Sequence, residues 1–115
     1  MPCSSMPDAP NKELIGAATS LLVLGVLAKG PSYGYDIVRQ LNESAGDLFE
    51  WQEGTIYPIL HKLEKDQQLR AQWQDADTGR RRKYYYITAK GRAVLSREAK
   101  QFASFHLLIR NLIAT

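Results

Sequence analysis

From Lys12 to Lys29 apolar residues recur at Leu14, Ile15, Ala18, Leu21, Leu22, Leu24, Gly25 and Leu27, wrapping much of a helical cylinder. Such a helix is expected to be buried on more than one side. Gly30 is placed to end it in the left-handed conformation, and Pro31 forbids its continuation. Ser32 then offers an N-cap for a second helix, Tyr33 to about Ser44, with Asp36 favourable to its N-terminal dipole. Gly34, Ile37, Val38 and Leu41 share one face of it, and the glycine permits another helix to come close. Gly46 closes the helix, and Leu48, Phe49 and Trp51 lead onward as a very short strand. In the next stretch Ile56, Ile59, Leu60 and Leu63 fall at i, i+3, i+4 and i+7, one stripe of a third helix that runs out near Asp66. Its other face stacks Tyr57 over His61 and Lys65, and Pro58 over Lys62. Pro58 is tolerable here because it is expected in the first turn, where its missing N–H breaks no helical bond.

The period then changes from helix to strand. Leu69, Ala71 and Trp73 alternate with Arg70, Gln72 and Gln74, as in a half-buried strand. Asp75 to Gly79 is a turn sequence with Gly79 able to take positive φ, and Arg81 to Thr88 returns as a second strand. Tyr85 and Ile87 share its inner face, leaving Tyr84 and Tyr86 outward. Thr88 can cap a final helix in which Leu95, Phe102, Phe105, Ile109 and Leu112 keep a near-heptad rhythm, widened by Leu108 and Ile113. So small a domain leaves that helix little core of its own to cover, and the stripe asks for a partner, most simply another copy of the chain. Met1 to Asn11, rich in proline and serine, reads as a flexible arm. The organisation is therefore an arm at 1–12, a helical domain with a hairpin at 13–88 and a dimerisation helix at 89–115. The fold class is mainly α with a small β-hairpin, α+β.

Composition narrows the chemistry. At 115 residues, 44% hydrophobic and 23% charged, the chain is an ordinary globular domain. A single cysteine, Cys3, permits no intramolecular disulfide and favours a reducing compartment. The longest apolar run, Leu21 to Ala28, is far short of the roughly 20 residues of a membrane helix. The default location is the cytoplasm, with no membrane partner. The sequence offers no nucleophile paired with a histidine, no glycine-rich phosphate loop and no metal spacing, since His106 is the one histidine besides His61. An enzyme is not expected, nor a cofactor or metal. The net charge of +3 matters by its placement, because Arg80, Arg81, Arg82 and Lys83 gather beside the hairpin tip.

Three helices, a basic hairpin and a trailing apolar helix make the layout of a winged helix-turn-helix with a dimerisation helix appended. A major groove admits one helix, and a hairpin carrying arginines reaches the flanking backbone or minor groove. The partner so implied is double-stranded DNA. Residues Gly30-Pro31-Ser32-Tyr33-Gly34-Tyr35-Asp36-Ile37, Gly54-Thr55-Ile56-Tyr57-Pro58-Ile59-Leu60-His61-Lys62-Leu63-Glu64 and Gly79-Arg80-Arg81-Arg82-Lys83-Tyr84-Tyr85-Tyr86-Ile87-Thr88, with Gly91, resemble the PadR family of bacterial transcriptional regulators. The likeness spans about Leu22 to Leu95, and a single helix after the wing makes the chain similar to the short members. It implies a homodimeric repressor that binds an inverted-repeat operator and is released by a small aromatic or drug-like ligand. Carried across residue by residue, it implies DNA contacts from Thr55, Tyr57, Pro58, His61 and Lys62 on the recognition helix and from Arg80 to Lys83 on the wing. Tyr33 and Tyr35 stand near enough in sequence to join them, at least one being expected in the core. Phe102 and Phe105 are expected as dimer packing, and the place for a flat, hydrophobic effector is beside them. Trp51 reads as core or loop packing. One departure is Gln67, where the family usually has glycine; at positive φ it would cost on the order of 1 kcal/mol. The competing reading is a winged helix that binds only protein, which predicts neutral or acidic residues at the hairpin tip.

Overall fold

The computed structural model describes residues 12–75 and 77–114. The arm assigned to Met1–Asn11, with Cys3, lies outside the described residues. Four helices and three strands follow in order: α1 (Lys12–Lys29), β1 (Ser32–Tyr33), α2 (Gly34–Ala45), α3 (Glu53–Lys65), β2 (Leu69–Asp75), β3 (Arg81–Ile87) and α4 (Ala89–Ile113).

One core joins all of them. Val23, Leu24 and Leu27 of α1 meet Ile37, Val38 and Leu41 of α2, Ile56, Leu60 and Leu63 of α3, and Leu69 and Tyr85 of the sheet. Phe49, Ile59, Ile87, Val94 and Leu95 pack against its edge. The helical stripe of α3 is buried as its spacing predicts. Trp51 belongs to this core; its ring stands edge-on to Phe49, centroids 4.9 Å apart, and its Nε1 donates to Thr19 Oγ1 at 3.2 Å. The Asn42 side chain clamps the Trp51 backbone, accepting from its N–H at 2.7 Å and donating to its carbonyl at 3.1 Å. These bonds occupy the Trp51 backbone, and the short strand expected from Leu48 to Trp51 does not form.

A strand forms instead at Ser32–Tyr33. The sheet is antiparallel in the order β1-β3-β2, with Ser32 opposite Tyr85 and Tyr33 opposite Tyr84. The expected two-stranded hairpin is thus three-stranded. Ser32, drawn into this pairing, is not the N-cap of α2: that position is Tyr33, without a side-chain cap bond. The Ser32 hydroxyl still serves the helix, donating to Asp36 Oδ2 at 2.7 Å. Gly30 also departs from expectation. Among the described residues the left-handed positions are Gly46, Gly79 and Gln67, and α1 ends with Gly30 N donating to Leu27 O. Proline at 31 explains this, because it pushes the preceding residue toward extended backbone.

Helix α1 packs against α2, α3, α4 and β3 and is buried on more than one side, while Leu14 and Leu22 remain exposed. One further expectation changes. Trp73, placed by alternation on the inner face of β2, is 56% exposed. It lies opposite Lys83, toward the tip of the hairpin and past the end of the core.

The end of α3, the start of the wing and the start of α4 are tied together. Gln67 adopts φ 64, as its position in place of glycine suggested. Thr88 caps α4, accepting from Gly91 N at 3.0 Å, while its hydroxyl donates to Gln67 O at 2.7 Å and its own N–H to Gln68 O at 3.1 Å. Lys90 Nζ adds a bond to Asp66 O at 2.8 Å. Gly91 sits so close that a Cβ built on it would lie 2.2 Å from Gln68 O.

Candidate nucleic-acid interface

Helix α3 begins with Glu53 and is started by backbone: Thr55 N and Ile56 N both donate to Gln52 O, at 3.0 and 3.3 Å. That start puts Pro58 inside the helix rather than in its first turn. The bond it forgoes is to the Gly54 carbonyl, and both residues are exposed, so water can serve that oxygen. The apolar stripe fixes the opposite face outward. Thr55, Tyr57, Pro58, His61 and Lys62 are all exposed on it.

Tyr57 has a second task. Its ring lies over Gly34 of α2, where an added Cβ would come within 2.5 Å of it. The glycine thus allows the close approach of α2 and α3 that its place on the helix face suggested. Burial, and then the carboxylate of Glu53 one turn earlier, hold the Tyr57 phenol above its ordinary pKa. Tyr57 and His61 form one wall of a cleft of about 720 Å³, whose other walls come from the start of α2 and from the wing. Arg80, Arg81, Arg82 and Lys83 all line it. Thr55, Pro58 and Lys62 stand on the same helix but do not line the cleft.

The wing turns through Gly79, which takes φ 83 as its turn position requires. Its four cations divide into two pairs. Arg80 and Arg81 are exposed at the tip; Arg80 has no ion-pair partner among the described residues, and Arg81 reaches Asp75 at 3.6 Å and the Trp73 ring at 5.6 Å. Arg82 and Lys83 are half-buried and brace the wing. The Arg82 guanidinium lies 4.3 Å over the Tyr33 ring, which in turn meets Tyr84 edge-on at 5.4 Å. Lys83 pairs with Glu64 of α3 at 3.2 Å. Partial burial opposes its charge, but Glu64 and Tyr85 outweigh that and hold its pKa above the usual value. On the outward face of the hairpin Arg70 lies 4.4 Å over the Tyr86 ring, whose hydroxyl is hydrogen-bonded to Gln74.

Tyr33 and Tyr35, weighed as additions to the contact set, both line the cleft, and four further lining residues stood outside that set: Gly34, Glu53, Trp73 and Tyr85. Trp73 escaped because alternation assigned it to the core. Glu53 escaped because a carboxylate repels phosphate, so its charge argues against a place in a DNA contact set.

Asp36 organises the start of α2. Arg39 donates to its Oδ1 through Nε at 2.8 Å, and Gln40 and Ser32 donate to its Oδ2 at 2.7 Å each. Burial alone would raise this carboxyl; the three donors outweigh it and set the pKa below the ordinary one.

Phe102 is half-buried on α4 and Phe105 is exposed. The shallow depression beside Phe105 is bounded by Lys100, Gln101 and Ser104 and does not include Phe102, so a single chain does not bring the two rings into one cavity. Among the described residues no three His, Cys, Asp or Glu side chains cluster as metal ligands, and no helix is long and apolar enough to cross a membrane.

The sequence profile of the transcriptional regulator PadR-like family matches residues 23–97. A Lysinibacillus sphaericus protein is 30% identical over 99 residues, covering 86% of this chain and 91% of its own length. Transcriptional regulator Rv3488 of Mycobacterium tuberculosis is 32% identical over 89 residues, covering 77% and 79%. The crystal structure of a PadR-like transcriptional regulator from Bacillus cereus superposes with a TM-score of 0.79 at 26% identity, covering 90% of this chain and 99% of that one.

Proposed function

The chain belongs to the PadR-like family of transcriptional regulators, and on that premise we propose that it is a homodimeric repressor binding an inverted-repeat operator in double-stranded DNA. The observation that carries this is the cleft in which Tyr57 and His61 of α3 face Arg80, Arg81, Arg82 and Lys83 of the wing. A helix face with polar groups, beside a cationic hairpin, suits base edges and the adjoining phosphates. Thr55, Pro58 and Lys62 extend the proposed contact along the helix. A winged helix that binds only protein would not need two exposed arginines at the hairpin tip. The expected location is cytoplasmic.

Dimerisation is supported by Phe105, Leu108, Ile109, Leu112 and Ile113, all exposed on α4, and by Leu22 on α1. A flat, apolar effector fits best between two copies of α4 near Phe102 and Phe105, where aromatic faces would be brought together. Dye binding that survives Phe102→Ala in an intact dimer would remove that site. The principal test is titration of short palindromic duplexes at two salt concentrations. Tight, strongly salt-dependent binding that prefers one sequence is expected; equal and weak binding to all duplexes would refute the operator reading.

A further inference from the structure

Glu53 is the acidic member of a cleft whose other charged residues are cations. It opens α3, is exposed, and shares a helical row with Tyr57 and His61 at i, i+4 and i+8. The side chains of Arg80 to Lys83 line the same cleft, yet among the described residues Glu53 forms no salt bridge. Its nearest marked influence is on Tyr57, one turn along the helix.

An ionised carboxylate accepts hydrogen bonds and donates none. The Tyr57 phenol can donate to one of the carboxylate's lone pairs; the others would repel phosphate, so in a DNA-bound cleft they need a further donor. The major groove offers donors only on the amino groups of cytosine and adenine. Adenine carries its amino group beside the N7 acceptor, which repels a carboxylate; cytosine has no acceptor of its own there. The first residues of a recognition helix are the ones that reach base edges.

We propose that Glu53 selects a base, accepting from the cytosine amino group and so fixing a C·G pair at one position of each half-site. This rests on the DNA-binding reading above. Recognition of the site is then partly by exclusion, since the carboxylate weakens every sequence that cannot offer it a donor.

The test is selection of bound duplexes from a random pool by the unmodified chain, by Glu53→Gln and by Glu53→Ala. The unmodified chain is expected to enrich cytosine at one position per half-site. Glu53→Gln should move that position toward adenine, which glutamine recognises through N6 and N7, with the other positions unchanged. Glu53→Ala should relax it, lowering the preference there by about tenfold while tightening binding to unrelated duplexes. If all three proteins enrich the same site, Glu53 serves only the helix dipole and the inference is overturned. If the unmodified chain enriches nothing, the DNA-binding reading itself falls, and this inference with it.

Discussion

The four wing cations are not equivalent at the level of single residues. Arg81 is exposed, with long contacts to Asp75 and the Trp73 ring, whereas Lys83 is half-buried against Glu64. Arg81→Ala is therefore expected to lower the slope of log affinity against log salt by about 1 with no change in melting temperature. Lys83→Ala should instead cost stability, about 0.5–1 kcal/mol for a partly shielded pair, visible in chemical denaturation. Equal salt slopes for the unmodified chain and Arg81→Ala would separate Arg81 from phosphate contact. Asp36 gives a pH dependence of known sign. Its folded pKa lies below the unfolded one, so its contribution is present above about pH 4 and is lost as pH falls through the folded value. Asp36→Asn should be less stable at neutral pH, and its melting temperature should fall less steeply on acidification. Parallel acid profiles for the two proteins would contradict this assignment.

Among the elements, the decisive contact is the joint where α3, the wing and α4 meet. Gln67 is held at positive φ by bonds that Thr88 makes to it and to its neighbour, and Gly91 packs directly on Gln68 O. A methyl at Gly91 must push α4 off this turn, because a backbone oxygen cannot swing aside. Gly91→Ala is expected to cost about 1–3 kcal/mol, measured from the denaturant midpoint; a change within error would mean the joint is loose. How much of this was legible follows from the range of the interactions. The α3 stripe, the Gly79 turn and the Thr88 cap depend on residues within a few positions, and each was readable. Strand β1 was not, because Ser32 and Tyr33 become a strand only by pairing with Tyr85 and Tyr84. Nor was the bracing role of Lys83, whose partner Glu64 lies on another element. Alternation misplaced Trp73 because the pleat continues after the core has ended. Pro58 was assigned to the first turn because no residue before it marks the helix start; Gln52 caps through its carbonyl, which any residue possesses.

At the scale of the molecule, α4 sets the shape. The described chain measures 56 × 33 × 20 Å, far from spherical, and the second half of α4 carries large apolar side chains that the chain's own core does not cover. Ile109 is one of them, 52% exposed. The proposed dimer would cover this patch. Light scattering at micromolar concentration should give twice the mass of a 13.0 kDa chain, and Ile109→Asp should give the monomer mass while keeping the helical circular dichroism. A monomeric unmodified chain would remove the basis for two recognition helices acting together.

The two tryptophans sit in opposite surroundings, one sealed in the core against Thr19 and one in the open cleft near Arg81. The protein therefore carries its own pair of optical reporters. Trp51 should emit at short wavelength and resist quenching by iodide, while Trp73 should emit to the red and be readily quenched. An operator duplex filling the cleft should shield Trp73 and leave Trp51 unchanged. Trp73→Phe should abolish the response, so that a single fluorescence titration follows occupancy of the wing side of the cleft, and a response surviving that change would place the duplex elsewhere.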